Sequence, residues 1–217
     1  MVDFPLAGYQ AAIFDMDGTM VDNMVYHQKA WQEFLRRYGL SFTDEEFKRK
    51  ISGKKNDQIC ELAFGERLTR EQKLAYAEEK EALYRELFSP DIKEIDGLSR
   101  TVADLHARGL KTAIATTAPA KNRQFVLHAL ALEDHFEVIL GDEHVTRGKP
   151  HPEIYRAAAN ALTVSPEKCL VFEDSPPGIA SAKNAGMTVI GILSSHSAEE
   201  LADADYLATD FTDISFF

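Results

Sequence analysis

The feature that most narrows the fold is a run of short apolar segments, each ending in polar or small residues and each followed by a helical pattern. Segments buried on both faces of a parallel sheet read as nearly continuous apolar runs, and parallel neighbours need a crossover, usually a helix. The pattern predicts strands at Ala11–Asp15, Lys111–Thr116, Glu137–Gly141, Cys169–Asp174 and Thr188–Ile192, with a weaker one near Tyr206. Helices are expected at about Leu98–Arg108, Lys121–Leu130, Pro152–Leu162 and Pro177–Ala185. That alternation is an α/β class, a doubly wound parallel sheet of Rossmann-like form.

One interval breaks it. From about Met20 to Asp96 the periodicity is helical throughout, so the expected organisation is an α/β core from 1–19 and 97–217 with an inserted all-helical cap at 20–96. In the cap, His27, Ala30, Trp31, Phe34, Leu35 and Tyr38 recur at three- and four-residue spacing, one stripe of a helix that Asp22 or Asn23 would cap. A second helix is expected from near Asn56 and a longer one over Arg70–Leu87.

Charge excludes several classes of partner. Lys plus Arg number 24 and Asp plus Glu 35, a formal net charge of −11, which repels phosphate backbones and anionic lipid. Neither nucleic acid nor membrane is expected as a partner. Cys60 and Cys169 show no CxxC spacing, and no stretch of eighteen apolar residues or basic-then-apolar leader is present, which points to the cytoplasm.

In open α/β sheets the ligand crevice lies outside the carboxyl ends of the strands. The residues closing the apolar runs are Asp15-Met16-Asp17-Gly18-Thr19, Thr116-Thr117 and Glu173-Asp174, and Gly148-Lys149-Pro150 follows the third run. Four carboxylates brought together repel one another unless a cation sits among them, and an all-oxygen cluster suits a hard ion such as Mg2+. Such an ion leaves at least one carboxylate to act on substrate, and Asp15 is the candidate nucleophile, giving an acyl phosphate. Asp17, two residues on, suits proton transfer to the leaving oxygen and from the incoming one. Lys149 and Thr116 would hold phosphoryl oxygens as charge spreads over them. The bland readings are strand-end caps for the acids, a solvated lysine for Lys149 and packing for Thr117.

Taken in order, Asp15-Met16-Asp17-Gly18-Thr19, Thr116, Lys149 in Gly-Lys-Pro-His-Pro-Glu-Ile-Tyr, and Glu173-Asp174-Ser175-Pro176-Pro177-Gly178-Ile179 resemble the haloacid dehalogenase superfamily, close to its beta-phosphoglucomutase-like branch with a helical cap. The resemblance implies Asp15 as nucleophile, Asp17 as acid and base, and Thr116 and Lys149 as phosphate binders. It implies Mg2+ held by Asp15, the Asp17 carbonyl and Asp174, with Glu173 beside it. Asp17 separates the chain from true dehalogenases. In the cap, the resemblance places His27 and Trp31 on a substrate-side helix, Lys54, Lys55 and Asn56 on the loop that contacts substrate, and Lys80 loosely with a phosphate-contacting lysine of the mutases. His27 reads equally as a core histidine, and Lys48, Arg49, Lys50, Lys54 and Lys55 as a solvated basic face.

The mutases have an arginine where this chain has Asn56, and an amide cannot grip a distal phosphate bidentately. The expected function is therefore hydrolysis of a small sugar phosphate or similar phosphorylated metabolite, ahead of a sugar phosphomutase. A catalytically silent metabolite-binding module is the reading from another class, and intact acids at 15, 17, 173 and 174 argue against it. The family resemblance implies a monomer.

Overall fold

The computed structural model describes residues 1–43, 45–46, 51, 56–65 and 67–217. They divide into two compact units, one of Met1–Asp22 with Ile92–Phe217 and one of Asn23–Asp91.

In the first unit the strands are β1 (Val2–Phe4), β2 (Ala11–Phe14), β3 (Lys111–Ala115), β4 (Val138–Leu140), β5 (Cys169–Glu173), β6 (Thr188–Ile192), β7 (Tyr206–Ala208) and β8 (Ile214–Phe216). β2 to β7 form one parallel sheet in the order β4-β3-β2-β5-β6-β7. The chain winds outward from β2 through β3 to β4, then returns to the other side of β2 with β5. The strand order therefore reverses between β2 and β5, the place where open α/β sheets bind their ligands, outside the carboxyl ends of the strands. One face carries Ala11, Ile13, Ala113, Ala115, Val171 and Val189, packed with Ile154, Tyr155, Ala158, Ile179 and Ala182. On the other, Phe14 and Phe172 stack with ring centroids 4.6 Å apart, and both contact Phe211. Burial on both faces explains why these strands lack a polar alternation.

β1 and β8 pair in parallel as a separate small sheet, Val2 opposite Ile214 and Phe4 opposite Phe216. Three residues each are too few for a period to show in the sequence.

In the second unit the described elements are helices: α1 (Met24–Arg37), α2 (Asn56–Phe64) and α3 (Arg70–Phe88). α1 buries Ala30, Trp31, Phe34 and Leu35, one stripe at helical spacing. Asn23 occupies its cap position, with its amide donating to the Tyr84 hydroxyl at 2.6 Å. α3 opens on a capping box: the Gln72 amide N–H donates to Thr69 Oγ1 at 3.2 Å, and the Thr69 N–H to Gln72 Oε1 at 2.9 Å. The boundaries lie inside the expected 20–96 because Val21 bridges Glu94 and the Ile95 N–H donates to the Met20 carbonyl at 2.8 Å. These residues are thereby tied to the first unit.

The remaining helices belong to that unit: α4 (Leu98–Ala107), α5 (Ala120–Leu130), α6 (Glu153–Leu162) and α7 (Pro176–Ala185). Among the described residues no helix is long and apolar enough to cross a membrane.

Candidate active site

The parallel register sets Phe14 of β2 opposite Phe172 of β5, so the next residues, Asp15 and Glu173, leave adjacent strands at the same level. The Asp15 N–H donates to the Phe172 carbonyl at 3.0 Å, carrying the pairing one step past the strand. Asp15, Glu173 and Asp174 are all buried, and each offers a carboxylate oxygen within 4.8 Å of the others.

Lys149 arrives from the loop before α6 and joins two of them, donating from Nζ to Asp15 Oδ1 at 2.6 Å and to Glu173 Oε1 at 2.5 Å. That loop is fastened by Glu153, whose carboxylate accepts from the Thr146 and Arg147 N–H groups at 2.8 and 3.1 Å. Glu173 accepts four further bonds: from the Tyr155 hydroxyl at 2.8 Å, the Asp174 and Ser175 N–H groups at 3.0 and 3.1 Å, and the Ser175 hydroxyl at 3.0 Å. A carboxylate has about four lone-pair sites, so Glu173 is saturated by these donors.

Asp174 accepts from the Thr19 hydroxyl at 3.1 Å. Gly18 makes room for it: with φ of +80°, its backbone comes so near that a Cβ would lie 2.1 Å from Asp174 Oδ2. Asp17 is half-buried, two residues beyond Asp15, with buried Met16 between them. Thr116, buried just past β3, accepts the Ala118 N–H at 3.1 Å through its hydroxyl oxygen, while Thr117 is exposed.

Burial pushes the Asp15 carboxyl well above the carboxylate range; Lys149 pulls it back, and the neighbouring Glu173 and Asp174 charges push it up again. Asp174 rises to about 7, from burial first and then the Glu173 charge. Burial opposes the charge on Lys149, but Asp15 and Glu173 more than offset it, so the ammonium is held. Three buried acids with one lysine carry negative charge reluctantly, and an all-oxygen set of this kind fits a hard divalent ion such as Mg2+.

The cap residues make a cluster of their own within the second unit. Lys80, itself buried, donates to His27 Nδ1 at 2.8 Å and to Glu81 Oε1 at 2.9 Å. Its Nζ lies 5.3 Å from the centre of the Trp31 ring, and the His27 ring stacks on Tyr84 at 3.8 Å. Asn56 donates to the same Glu81 oxygen at 2.9 Å. Burial would raise the Glu81 carboxyl, yet Lys80, His27 and Asn56 together hold it below its usual range. Lys54 and Lys55, with Lys48, Arg49 and Lys50, lie outside the described residues.

Sequence reasoning missed Glu81, Thr19 and Tyr155. Glu81 adjoins Lys80, Thr19 closes the first motif and Tyr155 closes the third, so all three were within reach; what the sequence did not show is that Tyr155 meets Glu173, a contact made by the packing of α6 on the sheet.

A haloacid dehalogenase-like hydrolase family model matches residues 12–192. A phosphorylated carbohydrates phosphatase of Thermotoga maritima is 33% identical over 86% of this chain and 86% of its own. The beta-phosphoglucomutase of Bacillus subtilis is 29% identical over 95% of this chain and 92% of its own. Among solved structures, a HAD hydrolase of family IA, variant 3, from Entamoeba histolytica superposes with a TM-score of 0.87 at 33% identity, covering 95% of each chain.

Proposed function

The chain belongs to the haloacid dehalogenase-like hydrolase family, and from that premise we propose that it is a Mg2+-dependent phosphatase, hydrolysing a small sugar phosphate or similar metabolite through an aspartyl-phosphate on Asp15. The observation that carries this reading is the meeting of Asp15, Glu173 and Asp174 around Lys149 at the strand-order reversal.

Asp15 and Asp174, with the Asp17 carbonyl, would hold the ion, which would shield the charge of an incoming phosphate. Glu173 is occupied by Lys149, Tyr155 and the α7 start, and so serves chiefly to aim the ammonium. Asp15 attacks phosphorus, forming an O–P bond as the ester O–P bond breaks, and Asp17 protonates the departing alkoxide. Asp17 then takes a proton from water as its oxygen attacks the acyl phosphate, releasing phosphate and restoring Asp15. Lys149, with Thr116, would bind phosphoryl oxygens through the transfer, its ammonium aimed by Asp15 and Glu173.

The cap cluster favours phosphatase over mutase. Glu81 balances the charge of Lys80, and Asn56 spends an amide donor on the same carboxylate. Neither supplies the unpaired bidentate cation that a second phosphate demands. Asp15→Asn should abolish phosphate release from small sugar phosphates, and an unchanged rate refutes the mechanism. Conversion of beta-glucose 1-phosphate to glucose 6-phosphate, with Mg2+ and a trace of bisphosphate, would move the chain to the mutases.

A further inference from the structure

The turn that follows β6 brings a hydroxyl and an imidazole against Asp174, and no residue of either mechanism above uses them. Ser195 donates its hydroxyl proton to Asp174 Oδ2, opposite the oxygen that Thr19 holds. His196 Nδ1 lies 2.9 Å from the Asp174 main-chain carbonyl and 2.8 Å from Ser195 Oγ. A carbonyl oxygen only accepts, so Nδ1 carries the proton and shares it between the carbonyl and Oγ. The Ser195 hydroxyl proton is then directed away from the ring and onto Oδ2, the nearer of its two Asp174 acceptors, with the main-chain carbonyl at 3.2 Å.

The order of donation is imidazole to hydroxyl to carboxylate. A nucleophilic serine gives its proton to the imidazole instead. The arrangement therefore excludes Ser195 as a nucleophile and makes it a fixed donor. A second fixture reinforces this: the Ser194 hydroxyl donates to the Gly18 carbonyl, tying the same turn to the loop that carries Asp15, Asp17 and Thr19.

We infer that Ser195, oriented by His196, is a positioning residue that sets the Asp174 carboxylate for divalent-cation binding. The inference rests on reading the acid cluster as a cation site. With Thr19 on Oδ1, Ser195 on Oδ2 and Gly18 against one edge, the carboxylate is fixed in orientation, and each oxygen has a second lone pair with which it could ligate an ion. Groups that hold a ligating side chain from behind typically change metal affinity roughly 10- to 100-fold when removed.

The test uses the full chain stripped of metal. Mn2+ is titrated into wild type, Ser195→Ala and Ser195→Thr, with free Mn2+ read by electron paramagnetic resonance and metal-free stability read by urea unfolding. Ser195→Ala should bind Mn2+ about tenfold more weakly while the metal-free protein stays folded, with a somewhat lower urea midpoint from the lost hydrogen bond, and Ser195→Thr, which keeps the hydroxyl, should recover most of the loss in binding. A loss below fivefold in Ser195→Ala, or one that Ser195→Thr shares in full, overturns the positioning role while leaving the cation site standing. Failure of the wild-type protein to bind Mn2+ removes the cation site and this inference together.

Discussion

Gly178→Ala tests whether the acid cluster is as tightly built as the hydrogen bonds imply. Gly178 lies in the first turn of α7, where alanine is ordinarily the better helix former by about 1 kcal/mol. Here a Cβ would stand 1.7 Å from Glu173 Oε1, 1.9 Å from Cδ and 2.2 Å from Oε2. Ordinary contact begins near 3.4 Å, so the carboxylate must retreat by 3.4 − 1.7 = 1.7 Å. Its five donors sit at 2.5 to 3.1 Å on both oxygens, and no retreat of that size keeps them all. Breaking a buried, paired charge costs about 3–5 kcal/mol, which outweighs the helix gain and leaves a net loss of about 2–4 kcal/mol. Urea unfolding reads that loss, and phosphate release should fall with it because Lys149 loses an anchor. Glu173→Asp, one methylene shorter, should destabilise less in the Gly178→Ala background than in wild type, giving a coupling energy of about 1 kcal/mol or more. Wild-type stability and activity in Gly178→Ala would refute the account of Glu173 as a clamped organiser.

Two further outcomes follow from burial. Asp174 rises from its ordinary 3.8 to about 7 in the folded chain, so without metal its contribution is most favourable below the unfolded value and is lost as pH climbs from about 4 to about 7; unfolding of metal-free protein across that window should show the decline, Asp174→Asn should flatten it, and added Mg2+ should offset it near neutrality. Burial pushes the Cys169 thiol to about 11, so a thiol reagent at pH 8 should label it only after denaturation, and rapid labelling of the native chain would contradict its place in β5.

The four central strands β2, β3, β5 and β6 were legible because they are buried on both faces, β4 and β7 at the edges being only partly buried, and the acids were legible because they stand where those runs stop. Asp15 and Glu173 meet through register alone: parallel pairing of β2 with β5 brings their ends level, and a strand order that reverses there leaves the space open. What escaped the sequence was set by contacts between distant segments. β1 and β8 pair across nearly the whole chain length, and Ser195 reaches Asp174 only because β6 runs beside β5. Glu81 was hidden differently, since an acid on a charged helix reads as solvent-facing until Lys80 and Asn56 are seen to close on it.

Among the described residues, charge separates Lys80 from Lys149, both buried beside acids. Lys80 faces Glu81, one ammonium against one carboxylate, and an anion gains little from a pair already balanced. Lys149 faces Asp15 and Glu173 with Asp174 alongside, so three acids stand against one ammonium; were all three ionised, two negative charges would remain uncompensated, and burial together with that repulsion is what pushes Asp15 and Asp174 up. A divalent cation at the proposed site would supply the missing two and hold the acids ionised. Without it a phosphate dianion would approach a doubly negative crevice, and like charges at such range cost several kcal/mol in a buried setting. With that balance, a dianion would meet a crevice relieved of its excess negative charge. On the proposed mechanism the sharing of Lys149 has a use: bound to Asp15 alone it would quench the nucleophile, whereas division between Asp15 Oδ1 and Glu173 Oε1 would leave the second Asp15 oxygen to attack phosphorus.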